Sequence, residues 1–131
     1  MWWRLPFYEG SVALGTTTTG AAWAIGEGAE AGVNDDSTFV LVSNGSASAA
    51  TVRFSVVLDT GQVATNDYAM AATSRLTVRI GTDFPIAVGQ RFSVLVESLT
   101  PAAPITVEYS RYQSAGGFLD AGGAALATLV R

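Results

Sequence analysis

The chain alternates apolar and polar residues with a period of two. From Ala50 to Asp59, Val52, Phe54, Val56 and Leu58 fall on one side and Thr51, Arg53, Ser55 and Asp59 on the other. That is the pattern of a strand with one buried face. Val57 departs from it and reads as a β-favouring filler on the outer side. Leu76, Val78 and Ile80 alternate against Arg75, Thr77 and Arg79, and Phe92, Val94 and Val96 against Arg91, Ser93 and Glu97. Ile105, Val107 and Tyr109 do the same against Thr106, Glu108 and Ser110. Thr38 to Ser43 is a more continuous apolar strand, stopped by the turn signal Asn44-Gly45-Ser46.

The intervening residues read as connections. Asp59-Thr60-Gly61-Gln62 predicts a hairpin turn from which the chain returns through Val63 to Met70, because glycine tolerates the positive φ of tight loops. Gly81 to Gln90 reads as a loop, and Pro101-Ala102-Ala103-Pro104 as a connection, since two prolines remove two ladder donors. The Ala-rich stretches 21–31 and 121–127 hold too many glycines for a helix. With Trp23 to Ile25 and Ala124 to Val130, the pattern predicts an all-β, immunoglobulin-like antiparallel β-sandwich of about 7–9 strands.

Composition narrows the function. A chain of 131 residues has room for one core and buries about two-thirds of its unfolded surface. All seven basic residues are arginines, dispersed at 4, 53, 75, 79, 91, 111 and 131 under a net charge of −4, so no concentrated basic face for nucleic acid is expected. No apolar run approaches the roughly 18 residues of a membrane span, and Met1 to Pro6 lacks the apolar stretch of a signal peptide. Cysteine, histidine and lysine are all absent. Disulfides, thiolate metal sites, Ser-His and Ser-Lys pairs and Schiff-base chemistry go with them. Glu97 and Glu108 remain as a carboxylate pair, but both are expected on outer strand faces, away from any pocket that raises a pKa. The chain is therefore not expected to be an enzyme.

The two ends echo each other. Phe7-Tyr8-Glu9-Gly10-Ser11-Val12-Ala13-Leu14-Gly15-Thr16 resembles Phe118 to Thr128 with one inserted residue, at an offset of 111 positions for the Phe pair and 112 for the Leu pair. A period of that size is one sandwich module. Residues 1–22 then read as a tail strand resembling the end of a preceding unit, and 23–131 as one full unit.

Over roughly residues 23 to 130 the chain resembles a family of tandem immunoglobulin-like repeats of large exported bacterial proteins, generally uncharacterised. The residues that carry the likeness are Trp23-Ala24-Ile25-Gly26-Glu27-Gly28, Ser37 to Asn44, Ala49-Ala50-Thr51-Val52, Ala72 to Val78, Val96-Glu97-Ser98 and Pro104 to Glu108. The family usually continues after Glu108 with Arg and then Met-Tyr-Trp, where this chain has Tyr109-Ser110-Arg111-Tyr112-Gln113. Met1-Trp2-Trp3 resembles that missing motif at the end of a preceding unit, which leaves Met1 as an internal methionine or a start, with room for a signal sequence upstream. The resemblance implies a β-sandwich with a scaffold, spacer or adhesion role and carries over no catalytic residues.

Four other features invite a site. Glu27, Glu30, Asn34, Asp35 and Asp36 place hard oxygen ligands within ten residues, yet match no calcium-loop spacing, and Asn34 to Ser37 is an ordinary turn. Glu27 between two glycines is the alternative of a carboxylate buried against an arginine or backbone donors. Gly26 and Gly28 suit a bulge, not a phosphate loop. Trp2, Trp3, Phe7 and Tyr8 either pack against the sandwich or a neighbouring unit, or anchor a sugar or protein partner. Thr16 to Thr19 alternate faces in a strand and form no flat ladder.

The expectation is a non-catalytic structural or adhesive module, extracellular or at the cell surface, in a tandem array or filament. It associates with itself or with neighbouring repeat units, has no cofactor or metal, contacts no nucleic acid and inserts in no membrane. The alternatives are a carbohydrate-binding module with a glycan partner and a virion or phage coat or decoration protein.

Overall fold

The structure, a computed structural model, describes residues 15–32, 35–115 and 118–131. Nine strands follow one another as β1 (Ala22–Ala29), β2 (Ser37–Asn44), β3 (Ala50–Leu58), β4 (Val63–Met70), β5 (Ser74–Arg79), β6 (Arg91–Ser98), β7 (Thr106–Ala115), β8 (Phe118–Leu126) and β9 (Thr128–Leu129). They form two antiparallel sheets, one ordered β4-β3-β6-β1-β9 and the other β5-β2-β7-β8. This is the two-layer all-β sandwich that the alternation calls for, with the strand number in the expected range.

The alternation places the core between the layers. Trp23 and Ile25, Val52, Phe54 and Val56, and Phe92, Val94 and Val96 project from the first sheet, meeting Val40, Val42, Val78, Ile105 and Val107 of the second. Each is at most 3% exposed, so each contributes about 1.5–3 kcal/mol through burial. Val57 is on the outside, as its departure from the pattern suggests.

Where the structure departs from the sequence reading, small residues or a layer change account for it. β1 runs on to Ala29, and β8 begins at Phe118, because glycine and alanine carry no polarity contrast to reveal a strand. Ala124 to Val130 is two strands, since the chain crosses between sheets at the buried Ala127. The loop expected from Gly81 to Gln90 holds a helical turn, α1 (Ile80–Asp83), and a 3-10 turn at Pro85–Ala87. Crossing from β5 to β6 gives this segment an inner side, and Ile80, Phe84 and Ala87 on it are buried. Phe84 stacks on Phe54 at 6.4 Å between ring centres.

Two local features set register. Between Ile25 and Gly28 the pairing of β1 with β6 shifts, the bulge that the two glycines permit. Past it Gly28 lies under the Phe92 ring, where a Cβ has no room, whereas a Cβ on Gly26 meets nothing. At the far edge Tyr68 Oη donates to Asp83 Oδ2 at 2.8 Å and Asn66 Nδ2 to the Asp83 carbonyl at 3.1 Å, tying α1 to β4. Partial burial, then the Asp83 hydrogen bond, push the Tyr68 phenol up to about 12.

Gly28→Ala is expected to lose about 1–3 kcal/mol of stability in urea denaturation through overpacking against the buried Phe92 ring. Gly26→Ala is expected to stay within about 0.5 kcal/mol of wild type. The raised folded pKa of Tyr68 stabilises the fold fully below the unfolded value of 10.0, and that contribution is lost as pH rises through about 12. A pH series of denaturation curves on wild type and Tyr68→Phe is expected to show a steeper alkaline decline for wild type.

Candidate functional site

The polar side chains expected to form a ligand loop fall into two places on the half of the sandwich away from Gly20 and Arg131. One set is internal. Glu30, directly after β1, is 3% exposed, and its Oε1 accepts the Thr38 backbone N–H at 2.9 Å. Thr38 Oγ1 donates to the Ala29 carbonyl at 2.8 Å and accepts the Ala29 N–H at 3.2 Å. Arg79 Nη2 stands 3.6 Å from Glu30 Oε2 and brings the opposing charge. Gly81 leaves the space that the Glu30 carboxylate fills. A buried carboxylate is tolerated where partners replace water, and here the Thr38 N–H binds one oxygen while the Arg79 guanidinium stands beside the other.

The second set faces the open flank. Asp36, also buried, accepts Arg111 Nη2 at 3.2 Å and Gln113 Nε2 at 3.2 Å on Oδ1. Glu27 is exposed rather than buried, because the bulge turns it outward; it lies 3.1 Å from Arg91 Nη1 and 3.8 Å from Arg111 Nη1. The arginine partners anticipated for it are present, but at the surface, where such pairs add little stability. Ala31, Gly32 and Asp35 all take positive φ in the tight turn between β1 and β2.

Arg111, Gln113 and Tyr109 share the inner face of β7. β1 covers that face only in part, and β9 extends the first sheet by two residues opposite Trp23 and Ala24. What remains is an open groove of about 430 Å³, walled by Glu27, Tyr109, Arg111 and Gln113 and floored by Gly123 and Ala125 of β8. Sequence reasoning missed this groove. Tyr109 was read correctly as inward, but its exposure follows from the shortness of β9, which no pattern in Ala124 to Val130 announces.

The other candidates are dispersed. Glu97 belongs to β6 and pairs with Arg131 at 2.8 Å, while the exposed Glu108 belongs to β7 in the opposite sheet, so the two carboxylates share no pocket. Among the described residues no three His, Cys, Asp or Glu side chains gather as a metal site. Thr16 to Thr19 are exposed and lie outside any strand. Trp2, Trp3, Phe7, Tyr8 and Asn34, and with them the N-terminal half of the echo, lie outside the described residues. No helix among the described residues is long and apolar enough to cross a membrane.

These features define an antiparallel β-sandwich domain. The crystal structure of Thermotoga maritima 1070 matches it with a TM-score of 0.74 and 12% identity, covering 87% of this chain and 97% of that one. The Anabaena sensory rhodopsin transducer matches with a TM-score of 0.56 and 20% identity, covering 71% of this chain and 97% of that one. At such identities the likeness is one of fold. The chain matches no family profile and no curated protein.

Replacing Glu30 by Gln, which keeps an acceptor for the Thr38 N–H, is expected to cost less than about 1 kcal/mol in chemical denaturation. Glu30→Leu orphans that buried donor and is expected to cost about 1–3 kcal/mol more.

Proposed function

We propose that the chain is a non-catalytic structural or adhesive module of an extracellular or surface assembly, used in series with further units of its own kind. The observation that carries this reading is where the chain enters and leaves the sandwich. Gly20 bridges Ile105, and the Ala21 N–H donates to the carbonyl of Arg131 at 2.6 Å, so the two ends of the unit lie side by side at one pole. Adjacent entry and exit let a unit be carried within a longer chain with its far pole turned away from that chain. The turns at the opposite pole stay free to face outward.

The resemblance to tandem immunoglobulin-like repeats of exported bacterial proteins and the echo between residues 7–16 and 118–128 support the same reading. The non-catalytic role is supported by how the carboxylates are used: Glu30 and Asp36 hold backbone and arginine donors, and Glu27 and Glu97 pair with surface arginines.

A carbohydrate-binding module is the second reading, favoured by the flank groove, which offers one tyrosine ring beside a guanidinium, an amide and a carboxylate. Size-exclusion chromatography with light scattering and electron microscopy separate the two. The assembly reading expects species beyond the monomer that grow with concentration, and a lone monomer at high concentration counts against it. A glycan array run with and without calcium is expected to be blank; a hit lost in Tyr109→Ala would favour the groove.

A further inference from the structure

β8 ends the second sheet, and one of its edges is left to be paired. The Ala127 N–H donates to the Val107 carbonyl, so Ala125 and Gly123, two and four residues earlier, also turn their backbone groups toward β7. Gly122, Ala124 and Leu126 therefore turn theirs the other way. Among the described residues no strand lies on that side.

The other edges are guarded in the ways that keep sheets apart. β9 is two residues long. β4 is tied to α1 through Asn66 and Tyr68, and β5, six residues long, carries Arg75 and Arg79. Residues 122–126, Gly-Gly-Ala-Ala-Leu, hold neither charge nor proline, and Ala124 is exposed. An edge of this kind is a template for another strand.

The side chains beside it say which strand fits. The Tyr112 ring lies across Gly122, where a Cβ would fall 2.7 Å from its Cδ1, and the tyrosine is still 37% exposed. Leu126 stands on the same face of β8, four residues along, and is half-buried. Antiparallel pairing of two copies about Ala124 sets each Leu126 opposite the other copy's Gly122, where it covers the open side of the Tyr112 ring. In that register every donor and acceptor offered by Gly122, Ala124 and Leu126 meets a counterpart, and the two Glu108 carboxylates, each opposite its own Leu126, stay in separate rows. Centring the pair on Gly122 or on Leu126 instead parts the leucine from the glycine.

We propose that residues 122–126 form a self-docking edge, at which a second copy of this chain adds its own β8 antiparallel about Ala124. The second sheets of the two copies then run on as one. Gly123 and Ala125 floor the flank groove, so the pairing joins two grooves floor to floor into a single cleft, walled on both sides by Glu27 of either copy. This names the surface for the self-association proposed above and rests on that reading.

With no cysteine in the chain, a single Ala124→Cys reads the contact. A hydrogen-bonded antiparallel pair holds its Cα atoms about 5.5 Å apart, within disulfide reach. Under mild oxidation Ala124→Cys is expected to give a linked dimer roughly tenfold faster than Thr60→Cys, in the exposed turn after β3. Ala124→Lys sets two like charges against each other and is expected to weaken dimerisation roughly tenfold in sedimentation velocity while leaving the circular dichroism unchanged. Val57→Lys, on the outer face of the first sheet, is expected to change neither. Larger species that survive Ala124→Lys, with no preferred Ala124→Cys dimer, overturn this edge and leave the assembly reading standing; a monomer at every concentration overturns both. Amide exchange tests the remaining occupant. Protection at Ala124 and Leu126 is expected to fall on dilution, and protection that ignores dilution assigns the edge to a segment of the same chain and overturns the proposal.

Discussion

One buried hydrogen bond joins the two layers at the pole where the chain comes and goes. The Trp23 indole, 3% exposed, donates Nε1–H to the Ile105 carbonyl at 2.8 Å, running from the first sheet to the residue that precedes β7 in the second. The ring fills the base of the core while its polar edge is satisfied, the combination a buried tryptophan needs. Much else at this pole depends on that joint. The Ile105 carbonyl also receives the Gly20 N–H, Leu129 pairs with Trp23, and Val130 and Arg131 donate to Ala22. A side chain on Gly20 would strike Leu129 and Arg131, so the incoming and outgoing strands touch only because that position is glycine.

At the other pole the controlling feature is the bulge in β1. It shifts the register of the strand by the residues around Gly26 and Glu27, sending Glu27 to solvent. Glu30 is thereby free to turn inward at the end of the strand. Its carboxylate then serves the chain as an internal cap for Thr38 at the start of β2. The acidic stretch that resembles a ligand set is, in the folded chain, divided between the inside and the flank, and the charges of Glu27, Glu30 and Asp36 are matched by Arg79, Arg91 and Arg111 from three other strands.

The strands β3, β5, β6 and β7 were legible because their core residues are large and alternate with polar ones, while β2 showed as an apolar run ended by a turn signal and β4 only as the return from a hairpin. Phe54 between Arg53 and Ser55, or Val107 between Thr106 and Glu108, gives a contrast that burial preserves. The bulge was legible from two glycines flanking a carboxylate. β8 was only half visible, because Gly122 to Ala125 present the same small residues to both faces. Long-range pairing left no local trace: nothing near Glu30 in sequence announces Arg79, and nothing near Tyr109 announces that β9 stops after two residues.

The entering segment at Gly20 and Ala21 and the leaving segment at Arg131 meet at a single pole, and the way the unit is carried in a longer chain depends on that meeting. Spin labels on Thr19→Cys and Val130→Cys, in a chain with no cysteine of its own, measure this directly. Electron-electron distance measurement is expected to give one narrow population below about 20 Å. A population centred near the strand length of the sandwich, about 30 Å for strands of eight to ten residues, would contradict it.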